Sequence, residues 1–279
     1  MTGPAHGVEA VAEALEDLAR TEHLLVALDF DGTLAPLVDE PMSARMLPEA
    51  RAALDALLDT PQTTVALVSG RSLPDLREIA EHGDDSPILL AGSHGAERWT
   101  PETGAIAPED DAAHRALRDR LRARAAELVA DVPGTWVEPK SFGFGLHTRL
   151  TPPADEARAQ ALLDDLVHAE APHWRRRTGH HIVEYAFRHE GKDSAIAELR
   201  ERTGATAVLF AGDDVTDEDA LRALHPGDLG VRVGKSADTA ASVVVADIPA
   251  FADLLAGLAR LRRTHAPHAP AAPRDGARE

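Results

Sequence analysis

The chain has 279 residues, 44% of them hydrophobic and 27% charged, and 29 Lys and Arg against 47 Asp and Glu give a formal net charge of −18. Such a composition supports a sizeable core and excludes disorder throughout, and its acidity argues against a nucleic-acid or anionic-membrane partner. With zero cysteine, disulfides, thiolate nucleophiles and Cys-ligated metal centres are excluded.

At about 150 residues per domain, the length suggests nearly two domains. No apolar run reaches membrane-spanning length. The first twenty residues carry acids where an export signal needs a basic and then an apolar stretch, so a cytoplasmic protein is expected.

Val8 to Arg20 has helical spacing, with Val11, Leu15 and Leu18 on one side. Leu24–Leu28 is a short apolar run suited to a strand buried on both faces. A helical pattern follows over Pro48–Leu58. Thr63–Arg71 and Ser86–Gly95 repeat the form of an apolar strand that ends in small polar residues, with a helix from Pro74 between them. Ala205–Asp214, Leu229–Gly234 and Ser242–Asp247 continue the series. Apolar strands alternating with helices predict an α/β fold, a doubly wound and mostly parallel sheet.

The stretch from about Gly104 to Arg188 breaks the series. It reads as helix (Asp110–Val132), two strands (Thr135–Lys140, Gly143–Leu150), helix (Pro153–Ala171) and two strands (His173–Arg177, His181–Phe187). A unit stated twice in this way predicts an antiparallel sheet with helices on one side, inserted as a smaller α+β domain. The expected division is a core of residues 1–103 and 188–263, an insert of 104–187, and a Pro/Ala-rich disordered tail of 264–279.

Four polar clusters end the apolar strands: Asp29-Phe30-Asp31-Gly32-Thr33, Ser69-Gly70-Arg71, Gly92-Ser93-His94-Gly95 and Gly212-Asp213-Asp214. In an open parallel sheet the carboxyl ends of the strands form one rim where ligands bind. Asp and Gly that merely end strands would explain any one cluster, but not the set. Several carboxylates on one rim repel unless a cation joins them. All-oxygen donors favour a hard divalent ion, and magnesium keeps room in its shell for a substrate phosphate. One carboxylate could then attack phosphorus, and a second, two residues away, could protonate the leaving oxygen and activate water. Ser69 and backbone amides would donate to the phosphoryl oxygens, and Lys192, at the start of the helix returning from the insert, would supply the positive charge.

Taken in order, DFDGTL, VSGR, the Lys192 segment and GDDVTDED resemble the four motifs of the haloacid dehalogenase-like (HAD) phosphatases. That resemblance implies Asp29 as nucleophile, Asp31 as general acid/base, and Ser69 and Lys192 as charge stabilisers. It implies Mg2+ on Asp29, Asp31 through its backbone carbonyl, and Asp213, with Asp214 and Asp217 supporting. The inserted segment resembles the α+β cap of that superfamily.

The segments Trp136–Ser141, His147–Arg149 and Val183-Glu184, together with Gly92–Glu97, are similar to the trehalose-6-phosphate phosphatases. Substrate contacts are therefore expected from Gly70, Arg71, His94, Glu97, Glu138, Lys140, His147, Arg149, His180 and Glu184. Carboxylates accept from paired sugar hydroxyls, and Lys and Arg donate to ring or phosphate oxygens. Two departures stand out. His180 occupies a place where that family often has Lys, and Ala186-Phe187 replace a frequent Arg-Pro. A zinc site at His180 and His181 is set aside, because neighbours on a strand point to opposite faces. The resemblance implies a small-molecule sugar phosphate substrate and leaves room for a functional link to a trehalose-6-phosphate synthase. The competing readings are a phosphatase of another sugar or pseudo-disaccharide phosphate, a signalling receiver domain and an inactive sugar-binding subunit.

Overall fold

The computed structural model describes residues 8–109, 112–236 and 238–265. Its larger sheet has eight strands. In chain order they are β1 (Leu24–Leu28), β2 (Thr63–Val68), β3 (Leu89–Gly92), β4 (Glu97–Thr100) and β5 (Gly104–Ile106), then β10 (Ala207–Gly212), β11 (Leu229–Val233) and β12 (Val243–Val245). Their order across the sheet is β12-β11-β10-β1-β2-β3-β4-β5. All pairs are parallel except β3 with β4 and β4 with β5. The antiparallel edge was not legible as strands, and Gly104–Ile106, expected to open the insert, belongs to this sheet instead.

Continuous apolar strands need cover on both faces. Leu24, Val26 and Leu28 point to one side, with Val65 and Leu67. There they meet α1 (Val8–Arg20), α2 (Pro48–Leu58), α3 (Leu73–Ile79) and α8 (Ile248–His265). Leu25, Ala27, Val208 and Phe210 point to the other, against α6 (Lys192–Thr203) and α7 (Glu218–Arg222). The helix ends follow from local chemistry. Pro48 opens α2, the Ser72 hydroxyl accepts from the Asp75 amide at 3.3 Å to cap α3, and Gly204 in a left-handed conformation (φ 64°) closes α6. Helix α8 includes Thr264 and His265, which were expected in the tail, and the rest of that tail lies outside the described residues.

A second, four-stranded antiparallel sheet comprises β6 (Trp136–Lys140), β7 (Gly143–His147), β8 (Arg175–Gly179) and β9 (Ile182–Ala186), in the order β6-β7-β9-β8. Phe144, Leu146, Val183 and Tyr185 on one face pack against α4 (Ala112–Val129) and α5 (Pro153–Glu170). The other face carries Glu138, Lys140, His147, Glu184 and Arg177. Among the described residues no helix is long and apolar enough to cross a membrane.

Arg262 of α8 is fully buried and has no carboxylate partner among the described residues. Its guanidinium donates to the carbonyls of Thr21 (2.6 Å), Gln62 (2.8 Å) and Pro61 (2.9 Å) and to the Thr63 hydroxyl (3.1 Å). One planar fork thus gathers the end of α1 and the entry to β2. Arg262→Met would leave several buried carbonyls without donors. It should cost more than about 2 kcal/mol in urea unfolding, and a loss below about 0.5 kcal/mol would show that water replaces the fork.

Candidate active site

The site lies where β1, β2, β3 and β10 end, under the polar face of the second sheet. Asp29 continues β1, its amide donating to the Ala211 carbonyl at 2.9 Å. The chain then turns sharply, with the amides of Leu34 and Ala35 returning to the Phe30 carbonyl at 2.9 and 3.0 Å. Gly32 is required in this turn. Its φ is +77°, and a Cβ there would sit 2.0 Å from the Asp213 carboxylate. Only a bare backbone lets Asp213, past the end of β10, come up beside Asp29.

Lys192 begins α6 with 3% of its side chain exposed. Its ammonium donates to Asp29 Oδ1 at 2.7 Å and to Asp217 Oδ1 at 2.6 Å. Burial alone would neutralise this lysine, but Asp217 and Asp29 outweigh it and hold it charged, above its ordinary range. Asp217 is itself fully buried, and its second oxygen accepts from the Asp214 amide at 2.9 Å. The balance of charge is unfavourable, with three carboxylates facing one ammonium. Burial, reinforced by Asp217 and Asp213, raises Asp29 well above its ordinary value against the pull of Lys192. Burial and Asp217 push Asp213 up to about 7. One oxygen each from Asp29, Asp213 and Asp217 lies within 4.8 Å of the others. Both oxygens of Asp217 are already engaged, by Lys192 and the Asp214 amide, whereas Asp29 is engaged by Lys192 through Oδ1. An all-carboxylate set with excess negative charge fits a hard divalent cation.

Ser69, Arg71 and His94 surround this centre. The Arg71 guanidinium forks onto Asp31 at 2.7 and 2.8 Å. Ser69 is buried, and its hydroxyl accepts from the Arg71 amide at 3.2 Å. Three successive residues have positive φ: Ser93 (48°), His94 (58°) and Gly95 (104°). Left-handed backbone at two non-glycine residues is a strained arrangement that the surroundings must enforce. It brings the His94 ring against Gly70, where a Cβ would stand 2.7 Å from the ring.

Above the rim the register sets Glu138, Gly145, Glu184 and Arg177 in one row across all four strands of the second sheet. Lys140 lies 3.0 Å from Glu138 and 3.3 Å from Glu184, and His147 Nε2 lies 2.7 Å from Glu138. The row reaches the larger sheet through His94 Nε2, 2.9 Å from Glu184 Oε2. Burial works to raise the Glu184 carboxyl, but Lys140 and His94 outweigh it and hold Glu184 far below the usual carboxylate range. Burial keeps the His94 ring below its ordinary value although Glu184 opposes this.

A family model, trehalose-phosphatase, matches residues 27–247. The chain belongs to the trehalose-phosphatase family. It is 32% identical over 243 residues to the trehalose-phosphate phosphatase of Mycobacterium ulcerans, covering 81% of this chain and 59% of that protein. It is also 32% identical to the probable trehalose-phosphate phosphatase of Sinorhizobium fredii, covering 84% of this chain and 87% of that one. The chain spans no more than 59% of the length of the mycobacterial relatives it matches. Among solved structures, the C-terminal domain of the Candida albicans trehalose-6-phosphate phosphatase superposes with a TM-score of 0.77 at 18% identity, covering 93% of this chain and 99% of that one. The fold is the HAD-like α/β fold, shared also with a haloacid dehalogenase-like hydrolase of B. subtilis (TM-score 0.56).

Within this family frame, several expected site residues sit elsewhere. Glu97 is buried and braces the strained loop, its carboxylate accepting from the Leu73 amide at 3.0 Å and the Ser93 hydroxyl at 2.5 Å. Asp31 was expected to meet the metal through its backbone carbonyl alone, so its carboxylate outside the acidic cluster overturns nothing, whereas the Asp214 carboxylate, expected in support, also lies outside it. Arg71 holds the first, and the second lies against the hairpin between β8 and β9, where a Cβ on Gly179 would be 2.7 Å from it. Asp217 takes the third place in the cluster. Arg149 lies 3.2 Å from Asp39 on the larger unit instead of joining the Glu138 row. His180 and His181 are not strand neighbours on opposite faces. They form the turn between β8 and β9, with rings in edge contact at 4.3 Å and His181 at φ 55°. The argument from alternation therefore fails there, although His181 is engaged by Glu156 at 3.2 Å. Arg177 was missed. Its signal was the run Arg175-Arg176-Arg177, in which strand alternation sends the first and third to the polar face.

Replacing Lys192 with Met should show what the ammonium neutralises. A carboxyl whose folded pKa lies above its unfolded value takes up protons on folding, so its penalty is greatest at high pH and fades as pH falls through the folded value. In metal-free buffer Lys192→Met should therefore lose more than about 3 kcal/mol at pH 8 and clearly less at pH 5.5. An equal loss at both would mean that the lysine acts by packing alone.

Proposed function

We propose that the protein is a magnesium-dependent phosphatase that hydrolyses trehalose 6-phosphate to trehalose and phosphate through an aspartyl-phosphate. The observation that carries the chemistry is the buried ammonium of Lys192 held between Asp29 and Asp217, beside Asp213. Asp29 would attack phosphorus, forming an acyl-phosphate bond as the ester bond to the sugar oxygen breaks. Asp31 would give a proton to that oxygen and later take one from the water that hydrolyses the aspartyl-phosphate. In its resting arrangement Asp31 accepts both donors of Arg71. Its acid role therefore needs the fork to loosen, and a loosened Arg71 would donate to the phosphate. Ser69 and Lys192 would stabilise the charge that develops on the phosphoryl group. Asp29 and Asp213, with Asp217 behind them, would hold Mg2+, which when bound neutralises phosphoryl charge and orients the ester.

Substrate choice would lie with the polar face of the second sheet. Glu138 and Glu184 are charged acceptors fixed by Lys140, His147 and His94, a preorganised set for the paired hydroxyls of a sugar. Supporting this reading are the family membership and the superposition on a trehalose-6-phosphate phosphatase domain.

The test is phosphate release from trehalose 6-phosphate beside glucose 6-phosphate, other sugar phosphates and an aryl phosphate. Trehalose 6-phosphate should lead by more than roughly tenfold in kcat/KM, a gap of about 1.4 kcal/mol. EDTA should abolish turnover and Mg2+ restore it. Glu184→Gln should cut trehalose 6-phosphate turnover at least roughly tenfold, as for a lost charged hydrogen bond, while leaving aryl phosphate turnover within about twofold. Equal losses on both would assign Glu184 to the fold, and preference for another sugar phosphate would replace the substrate.

A further inference from the structure

Resting on the disaccharide reading above, we propose that Trp136, backed by His147, is a stacking platform for the second, unphosphorylated sugar ring. This would make it the residue that separates a disaccharide phosphate from a monosaccharide phosphate.

Trp136 opens β6 and is 38% exposed, one of few large hydrophobic side chains left to solvent among the described residues. Period two places it on the same face as Glu138 and Lys140. Its indole lies flat on the His147 ring, with centroids 4.4 Å apart and planes 2° from parallel. One aromatic face is thus covered, and the exposure belongs to the opposite face and the edge. His147 is fixed in turn by Glu138, 2.7 Å from its Nε2. The ring pair is therefore preorganised, and an apolar face held beside charged acceptors suits a sugar, which has C–H groups on one face and hydroxyls around its rim.

The register locates this platform relative to the reaction centre. Lys140, Gly143, Ala186 and Arg175 form the row nearest the return to the larger sheet, where Arg175 donates to the His189 carbonyl at 2.6 Å. Glu138 and Glu184 form the next row, tied to the rim by His94. Trp136 and His147 lie in the third row, with Ile182 and Gly179. Trp136 is two residues beyond Glu138, about 7 Å along the strand, the scale of one sugar ring. On the far side Arg149 reaches across to Asp39, so the platform lies on the polar face of its sheet between two points of contact with the larger unit. A ring whose phosphate is at Asp29 would occupy the Glu138 and Glu184 row, and a second ring joined to it would extend over Trp136. A monosaccharide phosphate would end before reaching it.

The probe is trehalose itself, titrated into the full chain while tryptophan emission is followed. Of the three tryptophans, Trp99 is buried and Trp174 packs between Phe144 and Phe187, which leaves Trp136 to report. Wild type should show a saturable change. Trp136→Ala should lose it and raise KM for trehalose 6-phosphate roughly tenfold, the scale of one stacking contact. Turnover of glucose 6-phosphate should stay within about twofold, and Trp136→Phe should recover most of the affinity. An unchanged KM in Trp136→Ala, or an equal loss on both substrates, overturns the platform. Wild type that turns over other phosphates but neither binds trehalose nor hydrolyses its 6-phosphate overturns the disaccharide reading instead, a separate result.

Discussion

A single buried ammonium governs the rim of this molecule. Lys192 has almost no contact with water, and it stays charged because Asp29 and Asp217 each stand within hydrogen-bond distance. Removing it would leave three carboxylates facing one another with no ammonium between them. Even with it the local charge is negative, and Asp213 is pushed up to about 7. The chain's net charge of −18 makes the contrast sharper. A phosphate could be held here only by a local concentration of donors and positive charge, and Lys192, Arg71, the backbone amides after Asp29 and a divalent cation would provide it.

The same lysine joins the two parts of the molecule. It is the first residue of α6, directly after the strand-to-core connection at 187–191, and Arg175 and Arg177 of β8 both donate to carbonyls of that connection. The second sheet is tied to the larger unit also by Arg175 to Asp219, His94 to Glu184, Arg149 to Asp39, and Gly179 against Asp214. Of these, only His94 to Glu184 links a strained loop of the rim to the row of charges above it. The left-handed run at Ser93–Gly95 costs on the order of 1–3 kcal/mol per non-glycine residue, and Glu97 and the packing of the ring on Gly70 offset that cost. The strain aims one imidazole at one carboxylate.

Much of this was legible in the sequence wherever chemistry and periodicity coincide. Leu24–Leu28 and Ala207–Gly212 read as buried parallel strands because apolar residues run without alternation, and the carboxylates at their ends follow from the sheet's polarity. The repeated helix–strand–strand pattern announced the second sheet. The edge strands β4 and β5 were not legible, because Glu97–Thr100 mixes charge with apolar residues and Gly104–Ile106 is only three residues long. Glu97 read as a ligand because it belongs to the Gly92–Glu97 segment that carries the family resemblance, whereas tertiary packing turns it to two donors of the core. His180, between the two expected strands, and His181, at the start of the second, read as strand neighbours where zinc is set aside, and only the backbone shows them in the turn, with His181 at φ 55°. Arg262 carried no signal at all. One of three arginines, with Arg260 and Arg263, near the end of an amphipathic helix, it looks like surface charge until the carbonyls of Thr21, Pro61 and Gln62 converge on it.

The central claim, that Asp29 is the atom-bearing nucleophile, is tested most directly by chemical trapping. Wild type mixed with trehalose 6-phosphate and Mg2+ is quenched in acid within one turnover, reduced with borohydride and digested. The account predicts that the aspartate of the peptide bearing Asp29 is converted to homoserine, with no conversion at Asp31 or Asp213. Conversion at another aspartate, or continued turnover with no trapped residue at any quench time, would contradict it.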